Sequence, residues 1–155
     1  MTPMTSGMYS SDTIEWETPQ ALFELYDATY NFTIDVCAQS YNAKVDRYFT
    51  PQDDGLSHPW TGETVWMNPP YGTEVQKWTL KAARERKRVL SIVALLPART
   101  DTAWFQDNVA PYTELHFLRG RLSFDNSRGV APFPSVVAIY GPAIVPGTVK
   151  WVTWK

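Results

Sequence analysis

Two spacings of apolar side chains alternate along this chain, and each predicts its own kind of element. In "TPQALFELYDATY", Ala21, Leu22, Leu25 and Ala28 fall on one helical face, with Thr18 as the N-cap and Pro19 in the first helical position. A second helical period runs through "EVQKWTLKAARERKR", and a short one through "TAWFQDNVA". Between the helices lie brief, continuous apolar runs: "FTIDVCA" (Phe32 to Ala38), "TVWMNP", "VLSIVALLP" and "SVVAIYG". Runs of this length, β-branched and bounded by turn residues, predict strands buried on both faces. "ELHFLRG" and "RLSF" predict a pair of strands joined around Gly120. The stretch "QSYNAKVDRYFTPQDDGLSHPWTGE" predicts mostly loop, with one short strand over Asp46 to Phe49. Helices alternating with apolar strands predict an α/β sandwich around a mostly parallel sheet.

No repeat, low-complexity tract or long linker divides the chain, so residues 1–12 read as a flexible tail and 13–155 as one domain. At 155 residues and 44% hydrophobic, the chain can bury a core. Cys37 has no second cysteine to pair with, which fits a reducing interior. His58 and His116 have no Cys or acidic neighbours at ligand spacing, so no structural metal is expected. The polar start lacks a signal core and no segment is apolar enough to span a bilayer, so a cytoplasmic location is expected. A formal charge of −2 excludes a broad DNA-coating surface and leaves only local clusters of Lys and Arg for nucleic-acid contact.

The chemistry concentrates in "VWMNPPYGTEV", where two prolines follow an apolar strand. Lacking an N–H and fixed in φ, Pro69 and Pro70 end the strand in a stiff, extended loop. Main-chain carbonyls there are left to accept hydrogen bonds, and Asn68 adds an amide oxygen. Two acceptors facing one planar NH₂ group localise the nitrogen lone pair that resonance otherwise withdraws, which turns a poor nucleophile into a usable one. Tyr71 offers a ring on which a flat substrate stacks. In a parallel sheet, ligands gather at the carboxyl ends of strands, so the loops at Asp35 to Ala38, Asn68 to Tyr71 and Pro97 to Asp101 are expected to converge.

"NPPY" resembles the catalytic motif of S-adenosylmethionine-dependent amino-methyltransferases. The ordered pattern "WETP…FTIDVCA…NAK…YFT…DDGL…W…VWMNPPYG…W…LLPARTDTAWF…FLRGRLSF…PSVV" is similar to the compact phage DNA N6-adenine methyltransferases of the Dam type, over roughly Glu15 to Tyr140. The resemblance implies a compact Rossmann-like fold with helices on both faces of the sheet, and a double-stranded DNA partner with its adenine flipped out. Asn68, Pro69, Pro70 and Tyr71 would hold that adenine. Asp35, Cys37 and Ala38 would face the methionine and sulfonium part of S-adenosylmethionine, and Trp16, Thr18 and Pro19 would close over the cofactor. A carboxylate of Asp53 or Asp54, with Asp54 preferred, would take its ribose or adenine. "DVCAQSYN" departs from the family pattern in lacking Gly-x-Gly, and the segment from Ala38 to Asn68 is short for the usual helix and strand pairs.

Plainer readings stand beside these. Asp35 also suits a helix cap, Cys37 a small packed residue and Trp16 a core anchor. Lys77, Lys81, Arg84 and Arg88 form a helical stripe of the kind that usually faces solvent. Arg99, Arg119, Arg121 and Arg128 are the candidates for phosphate contact, against pairing with Asp101 or Asp125. "NSRGVAPFP" is a segment suited to ordering on DNA. Because the motif reads an sp² NH₂ group, cytosine N4, an RNA base or a protein glutamine is an alternative substrate. A silent nucleic-acid-binding module is the alternative outside enzymes.

Overall fold

The apolar runs beginning at Thr64, Ser91 and Ser135 are buried along almost their whole length and form the centre of a six-stranded sheet. The computed structural model describes residues 17–123 and 129–155. The tail expected over 1–12, together with Trp16 and Arg128, lies outside the described residues. In chain order the elements are α1 (Gln20–Tyr30), β1 (Ile34–Asp35), β2 (Thr64–Met67), α2 (Val75–Glu85), β3 (Ser91–Pro97), α3 (Ala103–Asn108), β4 (Glu114–Leu118), β5 (Ser135–Tyr140) and β6 (Val149–Val152). Among the described residues no helix is long and apolar enough to cross a membrane.

The strand order is β1-β2-β3-β5-β4-β6. β1 with β2, β2 with β3 and β4 with β6 pair in parallel, whereas β5 is antiparallel to both its neighbours, so the sheet is mixed. These pairings give every strand except β5 one direction. The carboxyl ends of β1, β2 and β3 therefore share an edge with the chain entering β5.

Alternation along the strands sorts the two faces. Trp66 pairs with Val93 and His116 with Val137. On their face lies α1: the Phe23 ring meets Trp66 edge-on at 5.3 Å, a geometry worth about 0.5–1.5 kcal/mol beyond area burial. On the same face Tyr26 Oη and His116 Nδ1 are 2.8 Å apart. Tyr140 points to the opposite face, where its hydroxyl donates to the Asn108 carbonyl of α3 at 3.0 Å.

Several expectations are corrected. The buried stripe of α1 is Leu22, Phe23 and Tyr26, while Ala21 and Ala28 are exposed and Leu25 is 44% exposed. The large rings turn the helix toward Trp66 and His116, overriding the aliphatic period. Thr18 does not cap this helix: Pro19 is the N-cap and no side chain caps it. The described part of "RLSF", Arg121 to Ser123, does not pair with β4, whose edges are taken by β5 and β6; instead Ser123 bridges Val130 and the Ala131 N–H donates to the Leu122 carbonyl at 2.8 Å. The strand expected at Asp46 to Phe49 reduces to one bridge between Asp35 and Tyr48. β6, "VKWV", was not foreseen; it is largely exposed and lies at the sheet edge.

Candidate active site

Two cavities flank the carboxyl end of β1, and Cys37 lines both. The first is polar. Its wall includes Thr18, Asp35, Lys44 and Asn68, with Trp66 beneath. Asp35 is only 3% exposed, and its carboxylate accepts the backbone N–H of Lys44 at 3.0 Å and of Cys37 at 3.3 Å. Asp35 thus ties down its own loop and caps no helix. Burial pushes its pKa up to about 6, against the lowering pull of those two N–H bonds and of the Lys44 charge. Near neutral pH it is a buried carboxylate, suited to a cationic ligand group.

Asn68 leaves the end of β2 on the α1 side, continuing the alternation Thr64, Trp66, Asn68. Its Nδ2 donates to Thr18 Oγ1 at 2.9 Å, and Thr18 is 2% exposed. The hydroxyl read from the sequence as a helix cap is therefore bound to the side chain that the motif singles out.

The second cavity, of ≈ 210 Å³, is walled by Phe49, Leu56, Pro70 and Trp78, with the carboxylates of Asp54 and Glu74 among its lining groups. Its shape depends on Gly55: a Cβ there would sit 2.4 Å from the Val36 carbonyl oxygen, so only glycine lets the loop lie on the end of β1. The neighbouring aspartates divide. Asp53 accepts from the Thr50 N–H at 2.9 Å and the Thr50 hydroxyl at 3.0 Å, bonds that hold its carboxyl below the usual range. Asp54, in the left-handed region at φ 57°, lines the cavity instead. Ala38, the last of the "DVCA" residues, also lines this cavity.

The other half of the motif is covered. Pro69 is buried, and Tyr71 is 3% exposed with its hydroxyl donating to the Leu95 carbonyl at 3.2 Å. Burial pushes that phenol far above its ordinary pKa. Phe133, arriving with the chain that enters β5, packs edge-on against the Tyr71 ring at 5.3 Å. The Arg99 guanidinium lies 5.5 Å over Phe133, and the Ala98 N–H donates to the Pro134 carbonyl at 2.9 Å. The structure thus brings Thr18, Asp35, Cys37 and Asn68 together, and Phe133 contacts both Tyr71 and Arg99.

Pro19 is buried at the start of α1 and lines neither cavity. Arg119 and Arg121 are exposed past the end of β4, and among the described residues neither they nor Arg99 form an ion pair. The α2 stripe is largely paired: Lys77 with Glu74 at 3.1 Å, Lys81 with Glu85 at 3.2 Å and Arg88 with Glu85 at 3.5 Å. Sequence reasoning assigned no site role to Phe49, Leu56, Glu74, Trp78 and Lys44, although all but Glu74 stand in the motifs of the ordered pattern. The Gly-Leu pair after the two aspartates and the inward position of Trp78 on α2 were the available signals.

A family described as DNA N-6-adenine-methyltransferase (Dam) matches residues 6–137. A protein of Haemophilus phage HP1 (strain HP1c1) named DNA N-6-adenine-methyltransferase is 30% identical over 125 residues, covering 79% of this chain and 72% of that protein. A protein of the same name from Escherichia phage T1 is 26% identical over 112 residues, covering 71% of this chain and 47% of its own length. The family match spans both cavities and the Asn68 loop, and the chain belongs to the Dam family of DNA N-6-adenine-methyltransferases.

Proposed function

We propose that this protein transfers a methyl group from S-adenosylmethionine to the exocyclic N6 amine of adenine in double-stranded DNA. The observation that carries the reading is the position of Asn68. It stands at the carboxyl end of a central strand, in the wall of the polar cavity that also holds the buried Asp35, and within the span matched by the family. The strand directions, with β5 alone reversed and helices on both faces, support a Rossmann-like methyltransferase fold.

The cavities fit the cofactor by their chemistry. Phe49, Leu56 and Trp78 suit a flat ring, Asp54 a ribose hydroxyl, and Asp35 an ammonium group. When bound, the cofactor supplies an electrophilic methyl carbon on a positive sulfur. The chain's own part is to prepare the amine. Asn68 Oδ1 and a main-chain carbonyl at Pro69 accept its two N–H bonds, drawing the nitrogen toward tetrahedral geometry. Removal of one such preorganised partner costs about 10²–10³ in kcat in measured enzymes. The methylated nitrogen is acidic, so its surplus proton leaves without a dedicated base.

The N6 amine of a paired adenine faces its partner base, so the target must leave the stack. Stacking on Tyr71 then requires Phe133 to give way from its edge-on contact. In this reading Arg99, Arg119 and Arg121 serve the phosphates, together with Arg128, which lies outside the described residues. The test is transfer of labelled methyl groups to plasmid DNA, RNA and protein in parallel, with the modified bases mapped. Label on adenine N6 is the expected result. Label on cytosine, RNA or glutamine alone, or no cofactor binding by calorimetry at high micromolar concentration, overturns the reading.

A further inference from the structure

We infer that Thr18 is a positioning residue for the methyl-transfer reaction: its hydroxyl sets the orientation of the Asn68 carboxamide. The inference rests on the reading of Asn68 given above and deepens it.

A carboxamide has two ends of nearly equal size and opposite hydrogen-bonding sense. Only one orientation serves an amine substrate. With Oδ1 toward the NH₂ group the side chain accepts a hydrogen bond. Turned over, it presents two N–H donors to two N–H donors and the lone pair is not localised. Something must choose between the two. In this structure Nδ2 donates to Thr18 Oγ1 at 2.9 Å with Oδ1 on the opposite side, an arrangement in which the hydroxyl, able to donate or accept, acts as the acceptor. The partner is 50 positions away in sequence, so the contact belongs to the tertiary fold, in which Phe23 of α1 packs on Trp66 of β2.

Three further observations separate this role from a local one. First, Thr18 stands one residue before the N-cap, Pro19, and makes no capping bond; the first turn closes through the Pro19 carbonyl, which accepts from the Leu22 N–H at 3.1 Å and the Phe23 N–H at 3.2 Å. Second, Thr18 is 2% exposed, so its hydroxyl is held away from competing water. Third, α1, which begins two residues after Thr18, is anchored on the sheet at two points, Phe23 on Trp66 and Tyr26 on His116, so the chain entering it is tied to the sheet. A carboxamide held by a buried hydroxyl at the entry to an anchored helix needs little reorganisation when the substrate arrives.

The experiment compares Thr18→Val, Thr18→Ser and Asn68→Ala in steady-state methylation of DNA, with cofactor affinity by calorimetry and unfolding temperature for each. Valine keeps the shape and removes the acceptor; serine keeps the acceptor. The expected result is a loss in kcat of about ten- to a hundredfold for Thr18→Val, the scale of a displaced reacting group. Unfolding temperature should stay near that of the native chain, with kcat restored to within about threefold by Thr18→Ser. Native kcat in Thr18→Val, or equal losses in the valine and serine variants, overturns the inference. If Asn68→Ala is inactive while Thr18→Val is not, only the positioning role fails; if Asn68→Ala is active, the reading beneath it fails.

Discussion

Asp35 makes the folded protein pay for its site, and the cost can be measured through pH. Its carboxyl is buried, and its pKa rises from 3.8 to about 6. Because the folded value lies above the unfolded one, the native state binds more protons between these two pKa values. The group's contribution to stability is thus fully present below pH 3.8 and is lost as pH rises through about 6. At 1.36 kcal/mol per unit, the full loss is about 3 kcal/mol, of which about 2 kcal/mol falls between pH 4.5 and 7.5. The perturbation is Asp35→Asn, which keeps the shape and removes the titration. Urea unfolding of both chains at the two pH values isolates this residue, since every other titrating group cancels in the difference. The account predicts that the native chain loses about 2 kcal/mol relative to Asp35→Asn on going from pH 4.5 to 7.5. Asparagine is also expected to weaken cofactor binding, because the buried negative charge is what a cationic ligand group meets. Below pH 6 native affinity should fall about tenfold per unit as the carboxyl protonates. Parallel stability curves for the two chains, or native-like pH dependence of cofactor affinity in Asp35→Asn, would refute the reasoning.

Gly55→Ala places a methyl group 2.4 Å from the Val36 carbonyl. A stability loss of about 1–3 kcal/mol in urea unfolding, with weakened cofactor binding by calorimetry, is expected. Arg121→Ala should lower DNA affinity to a similar extent on unrelated sequences and reduce the slope of log K against log salt by about 0.9. An unchanged slope would remove Arg121 from the DNA contact.

The centre of the sheet was legible because β2, β3 and β5 are buried throughout, and burial on both faces writes itself as an unbroken apolar run. The edge was not. In β6 the pattern "VKWV" faces solvent at Val149 and Trp151, so neither face carries a hydrophobic signature, and its pairing with β4 depends on contacts distant in sequence. The same cause misled the reading around Gly120. Two apolar runs flanking a glycine predict a hairpin, but both edges of β4 were claimed by strands further along the chain. At the site, the position of Asn68 followed from local rules, since a proline pair must end a strand. Its partner did not, because the hydroxyl of Thr18 satisfies a capping rule in sequence and a tertiary contact in space. Tyr71 illustrates the opposite limit: stacking chemistry is legible from residue type, whereas the covering Phe133 ring comes from a segment 62 positions later (133 − 71).

The central claim is that the Asn68 side chain prepares the amine for attack and takes little part in holding the cofactor. The direct measurement is the rate of labelled methyl transfer to DNA by Asn68→Ala at saturating cofactor, beside the calorimetric affinity of the same variant for S-adenosylmethionine. A loss in rate of about 10²–10³ or more with affinity changed less than about threefold is the predicted result. A rate close to that of the native chain, or losses of equal size in rate and affinity, would contradict it.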